Sequence, residues 1–295
     1  MYKKNNKRFN IVLTGSSGFI AGNFIKNYSP ILNIKNFSFI KDNINSLNLE
    51  NIDSIVHCAA LVHQMKKEPK YEEYYSANVE QTIELAIKAK QSNVKQFIFL
   101  SSSKVYGEES DYIFNEKSKT NPIDNYGRSK LEAEKRLLEI EDKNFHVAIV
   151  RAPLVYGPGV KANFLQLINL VKKFSLFPLG EINNKRSMVY VENLTHIIHR
   201  IIDLNQHGTF LAADDRPIST TELIQKIALA MNKKVVLFHT PLLKEIIRVI
   251  RPKYYKRLYM SFQLDNKLTR QTLLIKKNKF SLEESFQKTI LSDDK

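Results

Sequence analysis

Tyr126 and Lys130 stand four residues apart in the stretch Asn125-Tyr-Gly-Arg-Ser-Lys130. In a helix that spacing stacks the two side chains on one face, one turn above the other. An ammonium beside a phenol favours the phenolate and draws the tyrosine down from its ordinary pKa of about 10. Such a tyrosine can take and return a proton, the work of a general acid and base. Upstream, Ser101-Ser-Ser103 follows the apolar run Gln96-Phe-Ile-Phe-Leu100. Hydroxyls at the carboxyl end of a buried strand lie where open α/β sheets place their chemistry.

A second constellation lies near the start of the chain. The apolar run Asn10–Thr14 ends in Gly15-Ser-Ser-Gly-Phe-Ile-Ala-Gly22, after which a helical pattern continues through Phe24 and Ile25. Glycines at a strand-to-helix turn let the backbone approach a pyrophosphate, which rests on the helix N-terminus and its positive dipole. The pattern is G-x-x-G-x-x-A, so Gly15, Ser17, Gly18, Phe19 and Ile20 are the candidate contacts to a dinucleotide. In such sites the end of the second strand meets the adenosine ribose, with an acid for a free 2′-hydroxyl or a base for a 2′-phosphate. Asn36–Ile40 reads as that strand and is followed by Lys41 and Asp42. Lys41 favours NADP(H); Asp42 keeps NAD(H) as the alternative.

These residues must be positioned by alternating strands and helices. Ile52–Ala60 reads as a buried strand whose small ending, Ala59-Ala60, admits a cofactor close to the backbone. Tyr74–Gln91 carries Val79, Ile83, Ala86 and Ile87 at helical spacing. Ile123–Ile140 reads as the helix of Tyr126 and Lys130, and His146–Val150 as a further strand. The alternation predicts an α/β fold with a Rossmann-type doubly wound parallel sheet over residues 1–160. Residues 161–295 are less regular and read as a smaller α+β substrate-binding lobe, some of whose elements return to the first domain.

Composition narrows the class. A hydrophobic content of 43% and a charged content of 25% suit a globular chain. The single cysteine, Cys58, excludes an intramolecular disulfide and a cysteine metal cluster, and an inert buried thiol is expected there. The seven histidines show no ligand spacing, so no metal is expected. No apolar run approaches the roughly 18–20 residues of a membrane span. Residues 1–8 are basic without the apolar core of a signal peptide, so a cytoplasmic location is expected. The net charge of +15 suits anionic partners, but no nucleic-acid module accompanies it and nucleic acid is not expected. Much of the charge lies in the C-terminal third, where Leu242–Met260 mixes aliphatic residues with Lys and Arg. A basic lid over an anionic substrate is the favoured reading of that segment, with peripheral membrane contact as the alternative.

Taken in order, the motifs resemble the extended short-chain dehydrogenase/reductase family, in its nucleotide-sugar epimerase/dehydratase branch. The matching pieces are Thr14–Ile20, His57–Ala60, Asn78-Val79, Ser101–Gly107, Tyr126-x-x-x-Lys130, Arg151–Pro158, Arg186–Leu194 and Phe280-Ser-Leu-Glu-Glu-Ser-Phe286. The resemblance implies that Tyr126 is the catalytic acid/base and that Lys130 binds the nicotinamide ribose. It implies that Ser102 holds the sugar C4 oxygen, and that Ala59, Ala60 and Pro153 meet the cofactor. Ser103, Asn163, Phe164 and Arg186 fall on substrate contacts, the last with a planar fork suited to a diphosphate. The runs His57-x-Ala-Ala-x-Val-His63-x-Met65, Gly157-Pro-Gly-Val-Lys-Ala-Asn163-Phe164 and Arg186-Ser-Met-Val-Tyr190 resemble enzymes acting on UDP-N-acetylhexosamines for surface polysaccharides such as capsule and O-antigen. His63 reads as a loop or core residue, with contact to the sugar as the alternative.

Two departures shape the expectation. Ser103-Lys104 stands where 4,6-dehydratases carry an Asp-Glu pair, so water elimination lacks its acid and base. The stretch Gly22–His57 is shorter than in most 4-epimerases. With Lys41, this favours a C4 ketoreductase acting on a UDP-4-keto-6-deoxy-N-acetylhexosamine and giving UDP-N-acetylfucosamine or UDP-N-acetylquinovosamine. The alternatives are a UDP-sugar 4-epimerase with tightly held NAD and a non-catalytic nucleotide-binding protein. The family also implies a homodimer through the helices Tyr74–Gln91 and Asn125–Glu141.

Overall fold

The computed structural model describes residues 8–62 and 69–291. Its strands are β1 (Asn10–Thr14), β2 (Asn33–Phe37), β3 (Ser54–His57), β4 (Gln96–Ser102), β5 (Ile113–Phe114) and β6 (His146–Ala152), followed by β7 (Leu154–Tyr156), β8 (Leu176–Phe177), β9 (Met188–Tyr190), β10 (Gly208–Leu211), β11 (Val236–Leu237) and β12 (Gln263–Leu264). They fall into two compact units. One comprises residues 1–102, 124–151 and 195–210; the other comprises 103–123, 152–194 and 211–295.

The first unit is built on a six-stranded sheet of order β10-β6-β4-β3-β1-β2. β1 pairs in parallel with β2 on one side and β3 on the other, and β3 pairs in parallel with β4. From β1 the chain first winds outward to β2 and then back across to β3, so the winding reverses between β1 and β3. Open α/β sheets bind ligands outside the strand ends at such a switch point. Ile11, Val12, Leu13, Ile55 and Val56 are buried, as strands covered on both faces require. Helix α1 (Phe19–Tyr28) follows β1, and α2 (Tyr71–Tyr75), α3 (Gln81–Gln91) and α4 (Asn125–Ile140) follow in order. Leu85, Ala86 and Ala89 of α3 join Ala133 and Leu137 of α4 in packing on Val12, Ile55, Phe97 and Phe99 of the sheet.

Two sequence expectations are corrected here. The second strand is Asn33–Phe37, not Asn36–Ile40. Ser38–Asp42 closes instead into a turn, with Ser38 N–H donating to the Asp42 carboxylate at 2.8 Å. Phe39 meets His57 edge-on, so its apolar character reflects packing rather than a strand. The helix expected over Tyr74–Gln91 is interrupted by a wide π turn at Ser76–Glu80. Such turns are frequent at functional sites, and this one carries Asn78.

In the second unit β7 pairs in parallel with β9, β8 with β11, and β5 with β12. Helices α5 (Ala162–Lys173), α6 (Val191–Asp203, which runs on into the first unit) and α7 (Thr220–Ala230) follow in order. They are succeeded by α8 (Pro241–Ile250) and α9 (Pro252–Tyr259), neither of which has a buried residue.

Candidate active site

The turn between β1 and α1 is built for close approach. Gly15 adopts φ +71°, and a Cβ there would lie 2.8 Å from the Ala59 backbone nitrogen. Only glycine satisfies both the left-handed conformation and that contact. Gly18 N–H donates to Gly15 O at 2.8 Å, and Gly18 then caps α1 with no side-chain bond to the helix. The first turn of α1 contains no acid. Its N–H groups and dipole are therefore left for an anion, and a dinucleotide pyrophosphate fits this cradle.

Beside the turn, His57 is fully buried between two threonines. Thr82 gives its proton to Asn78 O at 2.7 Å, so it accepts from His57 Nε2–H at 2.9 Å. Nδ1 is then the acceptor of the Thr14 hydroxyl at 2.8 Å, and Thr14 in turn accepts Ala59 N–H at 3.1 Å. This tautomer follows from the hydrogen-bond network. Burial, aided by the charge of Lys130, pushes the imidazole down to about 3, so His57 is a neutral brace holding β1 against the exit of β3. Burial likewise pushes the Cys58 thiol up to about 12, where it is unreactive.

Ser102, Tyr126 and Lys130 come together at the carboxyl end of β4. The Ser102 hydroxyl bonds the Tyr126 hydroxyl, the one influence on that phenol that favours its ionised form. Burial, then the Asp124 carboxylate, outweigh it and raise the phenol well above its ordinary value. This reverses the expected direction. Burial of the phenol is the main reason, and it is not offset by Lys130, which is 1% exposed and donates from Nζ to Leu100 O at 2.8 Å, over the Phe99 ring. Burial pushes this ammonium down to about 7. Its charge is directed at the strand rather than at Tyr126.

Helix α4 is held to the sheet by groups that the sequence motifs did not single out. Glu134, 2% exposed, accepts from Arg151 Nη2 at 2.6 Å and from Nε at 3.1 Å, and also takes the Ser101 hydroxyl. One carboxylate thus bolts α4 to β4 and β6. Asn78 donates to Ser129 Oγ at 3.0 Å and exchanges both of its amide bonds with Leu61, while Ser129 donates to Tyr126 O at 2.9 Å. The π turn therefore sets both the loop after β3 and the backbone of the tyrosine. One signal was available: Lys130, Ala133, Glu134 and Leu137 share an apolar helix stripe, and charges on such a stripe need buried partners.

The remaining candidates divide by unit. Ala59 and Ala60 belong to the first unit with the glycine turn, and Ser17 is exposed on that turn. Lys41 is exposed, on the turn whose acid, Asp42, faces its own backbone. Ser103, Pro153, Asn163, Phe164 and Arg186 belong to the second unit. Asn163 is exposed in the first turn of α5. The ring of Phe164 is buried against Tyr156 and Phe286, which leaves its backbone as the part able to meet a ligand. Arg186 Nη1 donates to the carbonyls of Met260 at 3.0 Å and Lys256 at 3.4 Å, so it caps the end of α9. His63 and Met65 lie outside the described residues.

Comparison with known proteins agrees with this geometry. A family model described as the NAD dependent epimerase/dehydratase family matches residues 34–211. A UDP-glucose 4-epimerase of Vibrio cholerae is 36% identical, over 95% of this chain and 94% of that protein. An N-acetyl-α-D-glucosaminyl-diphospho-ditrans,octacis-undecaprenol 4-epimerase of Escherichia coli O157:H7 is 26% identical, over 79% of this chain and 75% of its own. A solved UDP-N-acetylglucosamine 4-epimerase of Methanobrevibacter ruminantium M1, in complex with UDP-N-acetylmuramic acid, shares the fold with a TM-score of 0.80. It is 18% identical and matches 98% of this chain and 99% of that one.

Proposed function

The chain belongs to the NAD-dependent epimerase/dehydratase family, and on that premise we propose that it is a UDP-sugar 4-epimerase acting through Ser102, Tyr126 and Lys130. One observation favours epimerase over the 4-ketoreductase suggested by the sequence motifs. The 36%-identical UDP-glucose 4-epimerase aligns along nearly the whole of both chains. The shorter Gly22–His57 stretch weighs less, because that likeness spans it.

A bound oxidised nicotinamide would accept hydride from C4 and give it back to the other face of the rotated keto-sugar. The chain's own residues handle the proton and the oxygen. Ser102 orients the C4 oxygen beside the Tyr126 hydroxyl, with which it is already bonded. In the reducing half Tyr126 donates its proton to that oxygen, the role suited to a phenol held neutral by burial. In the oxidising half it takes the proton up, helped by the Ser102 bond, while Lys130 would hold the nicotinamide ribose. Gly15, Ser17, Gly18, Phe19 and Ile20 would hold the pyrophosphate, and Ala59, Ala60 and Pro153 the rest of the cofactor. The epimerase reading goes with tightly held NAD, while the exposed Lys41 ammonium also suits the 2′-phosphate of NADP(H); if it meets that phosphate, Lys41→Ala should weaken NADP⁺ but not NAD⁺ binding. Ser103, Asn163, the Phe164 backbone and Arg186 are the proposed substrate contacts. Ile87 on α3 and Leu138 on α4 are exposed, which supports a homodimer through these helices.

The test is incubation of the purified protein with UDP-glucose and with UDP-N-acetylglucosamine, without added reductant. The expected result is conversion to the C4 epimer, read by NMR from the H4 coupling. Failure to convert either sugar, with NADPH consumed on a UDP-4-keto-6-deoxy-N-acetylhexosamine, would establish the reductase instead. Inertness toward all three would leave a nucleotide-binding protein.

A further inference from the structure

Helix α8 carries an apolar arc with no protein packed on it among the described residues. Leu242, Ile246, Val249 and Ile250 are 72, 43, 79 and 67% exposed and fall together on one side at 100° per residue. Leu243 and Ile247, at the edge of the arc, are partly buried. On the polar side Lys244 lines a cavity with Tyr255 and Tyr259, so the helix presents different chemistry to its two sides. The segment 241–260 holds six cations against the single acid Glu245. Arg251 and Lys253, at the joint between α8 and α9, are exposed and enter no ion pair among the described residues. Tyr254 beside them is 58% exposed.

We propose that the outer arc of α8, flanked at its joint with α9 by Arg251 and Lys253, docks this protein onto an anionic phospholipid surface. An aliphatic arc bordered by cations and a tyrosine is the pattern of a helix lying in the interfacial plane. Negative lipid head groups attract such a basic border. A second copy of this chain is the poorer occupant of this arc, because the same cations border the arc on each copy and would be set against one another. No helix of the described residues is long and apolar enough to cross a membrane, so the contact is peripheral. It is independent of the reaction catalysed, since its residues lie outside Ser102, Tyr126 and Lys130.

The chain contains no tryptophan, so one placed by substitution reports alone. Val249→Trp should shift to the blue and be quenched by brominated lipid on phosphatidylglycerol-containing vesicles at physiological salt. Leu229→Trp, on the exposed side of α7, should do neither. Unmodified protein should pellet with those vesicles and not with pure phosphatidylcholine, and Ile246→Glu with Val249→Glu should weaken pelleting by on the order of tenfold. The unmodified protein needs no variant to fold, so its failure to pellet would overturn the proposal. So would a blue shift without vesicles that grows with protein concentration, since a second copy would then cover the arc.

Discussion

Lys130 donates from Nζ to the carbonyl oxygen of Leu100 at 2.8 Å, two residues before Ser102 on the same strand. The bond holds α4 over β4, while burial, which disfavours the charged form, pushes the ammonium down to about 7. An unfolded lysine titrates near 10.4, so between the two values the unfolded chain binds more protons. Stability should therefore rise with pH from about 7 to about 10 and level off beyond either end. Urea unfolding across that interval should show the rise. Lys130→Met, which keeps the stem and removes the charge, should lose this component and fall in turnover by about a hundredfold.

Tyr126→Phe removes one hydroxyl whose described partner is Ser102. Turnover should fall by a factor on the order of 10²–10⁴, with the unfolding midpoint nearly unchanged. Ser102→Ala should cost less, roughly tenfold in kcat, the worth of one orienting hydrogen bond. Steady-state kinetics on both variants checks the order. Near-normal turnover in Tyr126→Phe would remove the tyrosine from the chemistry.

Gly15→Ala meets two obstacles together, a φ of +71° and a backbone nitrogen 2.8 Å from the new Cβ. Destabilisation of about 1–3 kcal/mol is expected from the strained conformation alone. Displacement of the Ala59 backbone should weaken dinucleotide binding as well. Thermal unfolding with and without NAD(P)⁺ should show a lower midpoint and a smaller ligand-induced shift.

Asp214 is the polar centre of the second unit. It accepts from Tyr156 Oη at 2.9 Å, Asn193 Nδ2 at 2.8 Å and Tyr190 N–H at 3.1 Å. Burial outweighs these donors and pushes the carboxyl up to about 6. Between about 3.9 and 6 the native chain then holds a proton that the unfolded chain has lost, so stability from this group falls as pH rises through that window. Asp214→Asn should abolish the fall. It should also destabilise the protein by about 1–3 kcal/mol at neutral pH, because its amide N–H₂ faces donors. Chemical denaturation at pH values on either side of the window checks both effects.

Local signals made much of the site readable. Gly15 and Gly18 mark a strand-to-helix turn, and four-residue spacing puts Tyr126 and Lys130 on one face, whatever the rest of the chain does. Period and turn chemistry likewise revealed the alternation of β1, β3, β4 and β6 with helices. Asn36–Ile40 misled because its apolar residues serve a turn packed on His57, and the actual second strand, at the sheet edge, is mostly polar.

The sequence by itself determined which groups could do chemistry, because reactivity and short-range geometry reside in residue type and spacing. Tertiary structure alone decided their state. His57 finds Thr14 across 43 positions, Asn78 finds Ser129 across 51, and Arg151 finds Glu134 across 17. Those pairings follow from sheet order and the π turn, which no local window contains. The titration of Tyr126 and Lys130 depends on the same packing. Spacing placed a cation beside a phenol, but burial raised one group, lowered the other and turned the ammonium toward Leu100, because desolvation at this depth exceeds the attraction expected from proximity.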